Sequence, residues 1–185
     1  MKNHGSLTEA YKRARRLLKV PVTLPDGSEV ELSPGLHNEL QRLIVEEFAP
    51  RFAQGSVVVY LGDTAQKRLV VASETLEALN IPEMNHDKLP DVVLYDKRRG
   101  WLFLIEAVTM HGPVSPKRHA ELETMLKDCS AKRVYVTAFM DFAGFKKYAS
   151  EVVWESEVWI AGFPDHMIHF NGEKFLGPYP PRTGK

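Results

Sequence analysis

The sequence is poor in cysteine and has no long uninterrupted apolar run. Its 185 residues contain one cysteine, Cys129, which excludes an intrachain disulfide framework and fits a reducing compartment. No apolar run approaches the roughly 18 residues of a membrane-spanning helix, and the polar, basic N-terminus has no apolar signal-peptide core. We therefore expect a cytoplasmic protein that has no contact with a membrane.

Net charge is also absent, because 24 Lys and Arg residues balance 24 Asp and Glu residues. A zero balance does not by itself indicate a nucleic-acid partner. The charge is uneven, however: residues 1–20 contain six basic residues and one acidic residue, a local net charge of +5. Such a segment can contact phosphates, and it can equally be the solvated face of a helix. Both interpretations stay open.

Length and composition indicate one domain with a core of ordinary size. The content of 44% apolar and 26% charged residues is typical of a globular protein. Apolar residues at helical spacing predict a helix over residues 7–19, and a PDG turn between two short β-type runs predicts a small hairpin after it. We assign residues 1–32 to this N-terminal extension and residues 33–185 to the main unit of a single globular domain.

Helices that alternate with buried strands define the expected fold from residue 34 onward. The predicted order is helix, strand, a short α/β insertion, two strands, helix and strand. Continuous apolar runs at 56–63 and 133–139 are typical of strands that are covered on both faces. This pattern predicts an α/β fold, a three-layer α/β/α sandwich around a central mixed β-sheet.

Two acids in the stretch LPDVVLYDKRRGWLFLIEAV (residues 89–108) occupy positions that otherwise favour burial. If KRRG is a hairpin turn, Asp96 pairs with Trp101, and the same register pairs Asp91 with Glu106. Opposed residues share one face of a sheet, with Cβ atoms roughly 4.5 to 5.5 Å apart. Carboxylates that close repel each other unless a cation intervenes, and Mg²⁺ suits such a pair. The alternative is that both acids merely end strands at the solvated edge of the sheet.

The dipeptide Pro90-Asp91, followed by Glu106-Ala107-Val108, resembles the PD-(D/E)xK nuclease signature, and the predicted element order is similar to that superfamily's common core. Longer stretches are more specific. KLPDVVLYD, WLFLIEAVTMHGPVSPKRHAEL and EVWIAGFPDHMIHFNGEKFLGPY resemble the BsuBI/PstI family of type II restriction endonucleases, and the likeness covers residues 20–180. The resemblance implies a restriction endonuclease-like core and hydrolysis of phosphodiester bonds in double-stranded DNA with Mg²⁺ as cofactor.

The resemblance also implies roles for particular residues. Asp91 and Glu106 are expected to bind Mg²⁺ together with the carbonyl oxygen of Ala107, and the metal to activate a water molecule. Glu39, on the helix before the first central strand, resembles the superfamily's auxiliary helix acid, although its spacing fits an ordinary polar helix face as well. Asp63, which ends that strand, is either an outer-sphere ligand or a turn acid.

One position departs from the superfamily pattern, which has a lysine two residues after the glutamate. Here that residue is Val108, which carries neither a proton nor a charge. We predict that Lys117, in the first turn of the next helix, replaces the lysine as a catalytic residue. Lys88, just before the first acid, is the second candidate. Arg118, or no substitute at all, is the remaining alternative.

The loop after the catalytic strand is predicted to face DNA. Thr109 and His111 in this loop, and Arg118 beyond it, are the expected contacts to phosphates or base edges. Arg98 and Arg99 in the hairpin turn lie at the other end of the two strands, so we expect them to be remote from the cut.

Partners and rival functions follow from the same resemblance. Full-length family members resemble this chain only in their C-terminal half and carry an N-terminal domain that helps to recognise DNA. We expect an excised catalytic domain, a naturally short member, or one part of a system whose second chain supplies recognition. Cleavage of both strands of a palindrome predicts a homodimer. Two rivals remain, namely a catalytically impaired DNA-binding relative and a metal-dependent hydrolase that acts on a small phosphoester.

Overall fold

The computed structural model of the protein describes residues 19–65, 69–81, 88–110 and 112–170. The helix predicted over residues 7–19 falls outside these ranges except for its last residue. Within them, no helix is both long and apolar enough to cross a membrane.

A mixed sheet of seven strands forms the centre of the fold. The strands, in chain order, are β1 (Val20–Thr23), β2 (Glu29–Leu32), β3 (Val57–Leu61), β4 (Val70–Val71), β5 (Val92–Asp96), β6 (Trp101–Val108), β7 (Lys132–Phe139), β8 (Ser156–Ile160) and β9 (Met167–Phe170). The sheet order is β4-β3-β5-β6-β7-β8-β9, and β1 and β2 form a separate hairpin. Strand β7 runs parallel to β6 and to β8, whereas the other neighbouring pairs are antiparallel. The predicted mixed sheet is confirmed.

The helices connect the strands in the predicted order. Helix α1 (residues 36–52) consists of α-helical Leu36–Leu43, π-helical Ile44–Phe48 and α-helical Ala49–Phe52. Helices α2 (Ser73–Ala78), α3 (Pro116–Met125) and α4 (Phe142–Tyr148) follow, and the 3₁₀ turn Ala149–Glu151 continues α4. A π-helical segment shifts the facing of the residues on either side of it, so the two α-helical parts of α1 are out of phase with each other.

Alternation along β6 gives the sheet two apolar faces. On one face Phe103 packs against Phe48 of α1, with ring centroids 6.2 Å apart in an edge-on arrangement. On the other face the neighbouring Leu102 and Leu104 lie in a buried cluster with Leu122 of α3. Helices therefore cover both faces, which confirms the three-layer α/β/α sandwich.

The β1–β2 hairpin shares the core of the main unit. Val20, Val22 and Leu32 of the hairpin lie in the same buried cluster as Leu40 and Ile44 of α1. The hairpin thus covers the outer side of α1 and has no core of its own. The division of the chain at residue 32 stays a prediction.

Asp63 fastens the start of α1 to the end of β3. The N–H and Oγ of Ser33 donate to its carboxylate at 2.7 and 2.8 Å, the side chain of Asn38 donates at 2.8 Å, and the N–H of Ala65 donates at 3.1 Å. Because Ser33 is used in this way it does not cap the helix, which begins at Leu36. Asp63 is buried, and its hydrogen bonds are those of a structural turn acid.

Replacing Asp63 with alanine tests this attachment. The variant removes one acceptor shared by the half-buried Ser33 and the buried Asn38, so the free energy of unfolding should fall by about 2 to 4 kcal/mol. Urea denaturation measures the change. Asp141→Ala is the control, because Asp141 only caps α4 through the N–H of Gly144 and its loss should cost about 1 kcal/mol. Equal losses in the two variants would contradict the assignment.

Candidate active site

The two acids of the β5–β6 hairpin meet at one end of the sheet. In the β5–β6 pair, Asp96 lies opposite Trp101 and Val92 lies opposite Ile105, which is the predicted register. Asp91 directly precedes β5, and its Oδ2 accepts a hydrogen bond of 2.8 Å from the N–H of Ala107. Asp91 is thereby held against the end of β6 that carries Glu106.

Glu106 has the electrostatic environment of a functional carboxyl. Its side chain is only 16% exposed. Burial, and then the nearby charge of Asp91, raise the pKa of Glu106 to about 7, while Arg118 opposes the rise. A carboxyl that is close to half protonated near neutral pH, beside a second acid, is typical of a catalytic or metal-binding site.

Among the lysines and arginines that the structure describes, Arg118 is the one that contacts Glu106, because of the phase of α3. Ser115 caps the helix by accepting the N–H of Arg118 at 3.2 Å, and the Arg118 Nε donates to Glu106 Oε1 at 2.7 Å. Lys117 lies about 100° around the helix. Its side chain is 87% exposed and forms a 3.9 Å ion pair with Glu121. The structure therefore does not bring Lys117 to the acids, contrary to the sequence-based expectation.

Lys88, the second predicted substitute, contributes its backbone. Its carbonyl oxygen accepts from Arg118 Nη2 at 3.0 Å, while the residue itself is exposed. The guanidinium of Arg118 is thus held between this carbonyl and Glu106. Two different nitrogens of the planar guanidinium are engaged in this way, so the orientation of the Arg118 side chain is fixed.

The surroundings of Val108 are consistent with the absence of the usual lysine from β6. It lies two residues after Glu106 and therefore on the same side of the strand. The residue is 4% exposed and belongs to a buried cluster with Phe139 and Val152. A lysine there would have to bury its charge among apolar side chains. In this chain the position is part of the core.

Helix α1 contributes two residues that sequence reasoning did not single out. His37 Nε2 donates to Asp91 Oδ1 at 3.1 Å, and its Nδ1 lies 3.5 Å from Thr109 Oγ1. The hydrogen bond to Asp91 raises the pKa of His37, and burial opposes this. Gln41, one turn later, lies on the same side of the helix. The available signal was the spacing of His37 and Gln41 at i and i+4, which places two polar side chains on one side of the helix.

Glu39, the predicted auxiliary acid, points elsewhere. It accepts from Arg42 Nε at 3.1 Å, and its side chain is 40% exposed. Its position between His37 and Gln41 turns it away from the helix face that those two residues share. The structure therefore does not bring Glu39 to the acid pair, and the alternative of an ordinary polar helix face describes its surroundings.

A cavity of about 500 Å³ collects these groups. Its walls include Asp91 and Glu106 from the hairpin, His37 and Gln41 from α1, and Thr109 from the loop after β6. A second, wider depression of about 940 Å³ lies on the other side of Arg118, with Lys88 and Lys117 on its walls. Acidic and basic surfaces thus adjoin at Arg118.

The predicted DNA contacts in the loop after β6 and the two arginines of the β5–β6 turn remain to be placed. Thr109 lies in the cavity wall, as stated, and His111 lies outside the described residues. Arg98 and Arg99 lie in the hairpin turn, at the far end of β5 and β6 from the acids. Arg99 forms an ion pair with Asp96 and stacks 4.4 Å from the ring centroid of Trp101, which is a structural role.

The donor set at the cavity fits a hard divalent cation. In the described part of the chain, no three His, Cys, Asp or Glu side chains come together as a metal cluster. Two carboxylates with carbonyl, water and phosphate oxygens are nevertheless a common environment for Mg²⁺. Ala107 directs its N–H toward Asp91, and in an antiparallel pair the carbonyl of a residue faces the same neighbouring strand as its N–H. Asp91, Glu106 and the Ala107 carbonyl are therefore compatible with the predicted ligand set.

Helices on both faces of a mixed sheet, with an acid pair where two adjacent strands end, define a domain of the PD-(D/E)xK nuclease type. The model of the BsuBI/PstI restriction endonuclease domain matches residues 20–173. The chain belongs to this family.

Individual relatives agree with this assignment. The chain is 45% identical to the type II restriction enzyme BsuBI of Bacillus subtilis, over 97% of this chain and 57% of that enzyme. It is 29% identical to the type II restriction enzyme AplI of Arthrospira platensis, over 95% of this chain and 56% of the relative. The solved structure of SdaI restriction endonuclease superposes with a TM-score of 0.83 at 42% identity, covering 92% of this chain and 54% of that one. The chain spans a little over half the length of these relatives.

The raised pKa of Glu106 predicts a pH-dependent stability of the metal-free protein. Between the usual value of 4.5 and about 7, the folded state holds a proton that the unfolded state has lost. Stability should therefore fall as the pH rises through this window. Relative to Glu106→Gln, the free energy of unfolding should drop by on the order of 1 to 3 kcal/mol from pH 5 to pH 8.

Urea denaturation in EDTA, at intervals from pH 5 to pH 8, measures this difference. Glu77→Gln is the matched control, because Glu77 is exposed on α2 and lines neither the acid cavity nor the second depression, so its removal should leave the pH dependence unchanged. Parallel curves for the original protein and Glu106→Gln would contradict the electrostatic account of the site.

Proposed function

We propose that this chain is the catalytic domain of a type II restriction endonuclease, which hydrolyses phosphodiester bonds in double-stranded DNA with Mg²⁺ as cofactor. One observation carries the proposal: Asp91 and Glu106 lie so close that the charge of Asp91 helps to raise the pKa of Glu106. Membership of the family and the names of the relatives support DNA as the substrate.

Asp91 and Glu106, with the Ala107 carbonyl, would hold the metal ion. A bound Mg²⁺ would lower the pKa of a water molecule and stabilise the charge that develops on the leaving oxygen. The protein's own part is to orient these ligands. The N–H of Ala107 fixes one oxygen of Asp91 and His37 contacts the other, so the carboxylate has a defined direction before any ligand arrives.

Arg118 is the cation that the geometry favours for the work of the missing lysine. Its guanidinium contacts Glu106 and lies between the acid cavity and the basic depression. A phosphate bound at the acids would therefore lie next to a fixed planar donor, which suits the charge of a phosphoryl transition state. Lys117, exposed on the same helix, keeps its predicted catalytic role only as a proposal that competes with this one.

The adjoining basic depression favours an extended polyanion over a small phosphoester. Lys88, Lys117 and Arg118 line it together with one acid, Glu121, and an excess of cations beside the reactive acids is the footprint expected for a nucleic-acid backbone. Thr109, in the cavity wall, and His111, outside the described residues, are proposed to contact the DNA near the cut.

A homodimer is proposed because a palindromic DNA site has twofold symmetry. Cleavage of both strands of a palindromic site would be carried out by a homodimer with a twofold axis. Recognition of the sequence would come from a further domain or a separate chain, consistent with relatives about twice as long as this one. With DNA as substrate, the site of action would be the cytoplasm of a bacterium or archaeon.

Removal of either acid tests the proposed reaction. Asp91→Asn and Glu106→Gln should each lower the rate of plasmid cleavage in Mg²⁺ by at least about 100-fold, because each removes a charged metal ligand. EDTA should stop the reaction of the unaltered protein. Gel analysis of supercoiled, nicked and linear plasmid provides the measurement, with Glu77→Gln on the exposed side of α2 as the active control.

Two outcomes would overturn the proposal. Cleavage that persists in Asp91→Asn would remove the acid pair from the reaction. DNA binding without cleavage, across a range of plasmid sequences and several divalent metals, would identify the catalytically impaired relative instead.

Alanine variants of neighbouring residues on α3 distinguish the two candidate cations. Arg118→Ala should lower kcat by about 100-fold, as loss of a transition-state charge partner does. Lys117→Ala should mainly raise KM and reduce the salt dependence of DNA binding by about one phosphate contact. Steady-state kinetics at several salt concentrations give both values. The reverse pattern would establish Lys117 as the catalytic cation.

A further inference from the structure

Gln41 lines the acid cavity, and its amide oxygen is buried without a hydrogen-bond partner among the described residues. The residue is 1% exposed, and its Oε1 accepts no hydrogen bond in the described part of the chain. The same cavity wall contains Asp91 and Glu106. Most buried polar groups in native proteins are hydrogen-bonded, so an unpartnered oxygen at this place requires an explanation.

The orientation of Gln41 is set by a rigid element. Gln41 follows His37 by one helical turn, and His37 contacts Asp91 at 3.1 Å, so both side chains lie on the face of α1 that looks toward the acids. The start of this helix is fixed by the buried Asp63 and Asn38. The backbone of α1 therefore holds Gln41 on this face of the helix.

Two other buried side-chain oxygens lack a partner among the described residues, and neither lies in this cavity. Asn38 Oδ1 belongs to an amide whose nitrogen already donates to Ser33 and Asp63. Ser56 Oγ lies just before β3 begins, at the end of the strand remote from the acids. Of these three residues from the described ranges, Gln41 is the one that also lines the cavity of the acid pair.

We propose that Gln41 supplies a neutral oxygen donor to the divalent cation held by Asp91 and Glu106, either directly or through a water molecule bound to that cation. The inference rests on the proposed function, since it requires a metal at the acid pair. An amide oxygen is a suitable hard ligand for Mg²⁺. Because it is uncharged, it adds a donor without adding a third negative charge next to Glu106.

The test measures metal binding in the absence of DNA. Isothermal titration of Mn²⁺ and Mg²⁺ into Gln41→Leu should show about tenfold weaker binding than in the unaltered protein. Urea denaturation of the same variant in EDTA should show equal or greater stability, because an apolar side chain replaces an unsatisfied buried amide. A purely structural role for Gln41 predicts the opposite result, with lower stability and unchanged metal affinity.

Gln41→Glu provides a second readout that does not depend on the leucine variant folding well. The added carboxylate should tighten Mn²⁺ binding several-fold while lowering the stability of the metal-free protein, since a third acid then crowds Asp91 and Glu106. Ser56→Ala is the matched control, because it removes a buried unpartnered oxygen outside the cavity. Its metal affinity should equal that of the unaltered protein.

Asp91→Asn separates failure of this inference from failure of the proposed function. If Asp91→Asn binds Mn²⁺ normally, no metal site exists at the acid pair and both proposals fall. If Asp91→Asn loses binding while Gln41→Leu and Gln41→Glu bind Mn²⁺ as the unaltered protein does, the acid pair stands and the role of Gln41 is overturned.

Discussion

The hydrogen bond from the N–H of Ala107 to Asp91 is the interaction on which the site depends. It joins the residue before β5 to the end of β6 at 2.8 Å, so Asp91 cannot turn away from Glu106. The repulsion between the two acids is therefore built into the fold, and with burial it raises the pKa of Glu106 to about 7. Sites of this kind give up stability for function, because Arg118 relieves only part of the unfavourable charge and a bound cation would relieve the rest.

The two outer layers of the sandwich then supply different groups to this point. Helix α1 approaches from one side: its His37 contacts Asp91, and its Gln41 lines the cavity with an amide oxygen that has no partner among the described residues. Helix α3 approaches from the other side with Arg118, which compensates Glu106. Because α3 also carries exposed cations, the acid cavity opens next to a basic surface. A charged polymer on that surface would meet the acids at Arg118, the point where the two environments adjoin.

The strand pairing was predictable from sequence, whereas the helix phases were not. A short turn and a period of two residues determine the β5–β6 register, so the meeting of Asp91 and Glu106 follows from local pattern alone. The choice of Arg118 over Lys117 depends on how α3 crosses the sheet, and one residue of helix rotation reverses it. Gln41 was not predicted because it is neutral. Its place beside the acids arises only when α1 packs against the β5–β6 hairpin.

A crystal soaked in Mn²⁺ tests the central claim, that Asp91 and Glu106 form one metal site. Anomalous diffraction should show a single peak in contact with both carboxylates, and the peak should be absent in Asp91→Asn. A peak bound away from the pair, or no peak at the pair in a protein that cleaves DNA, would contradict the account.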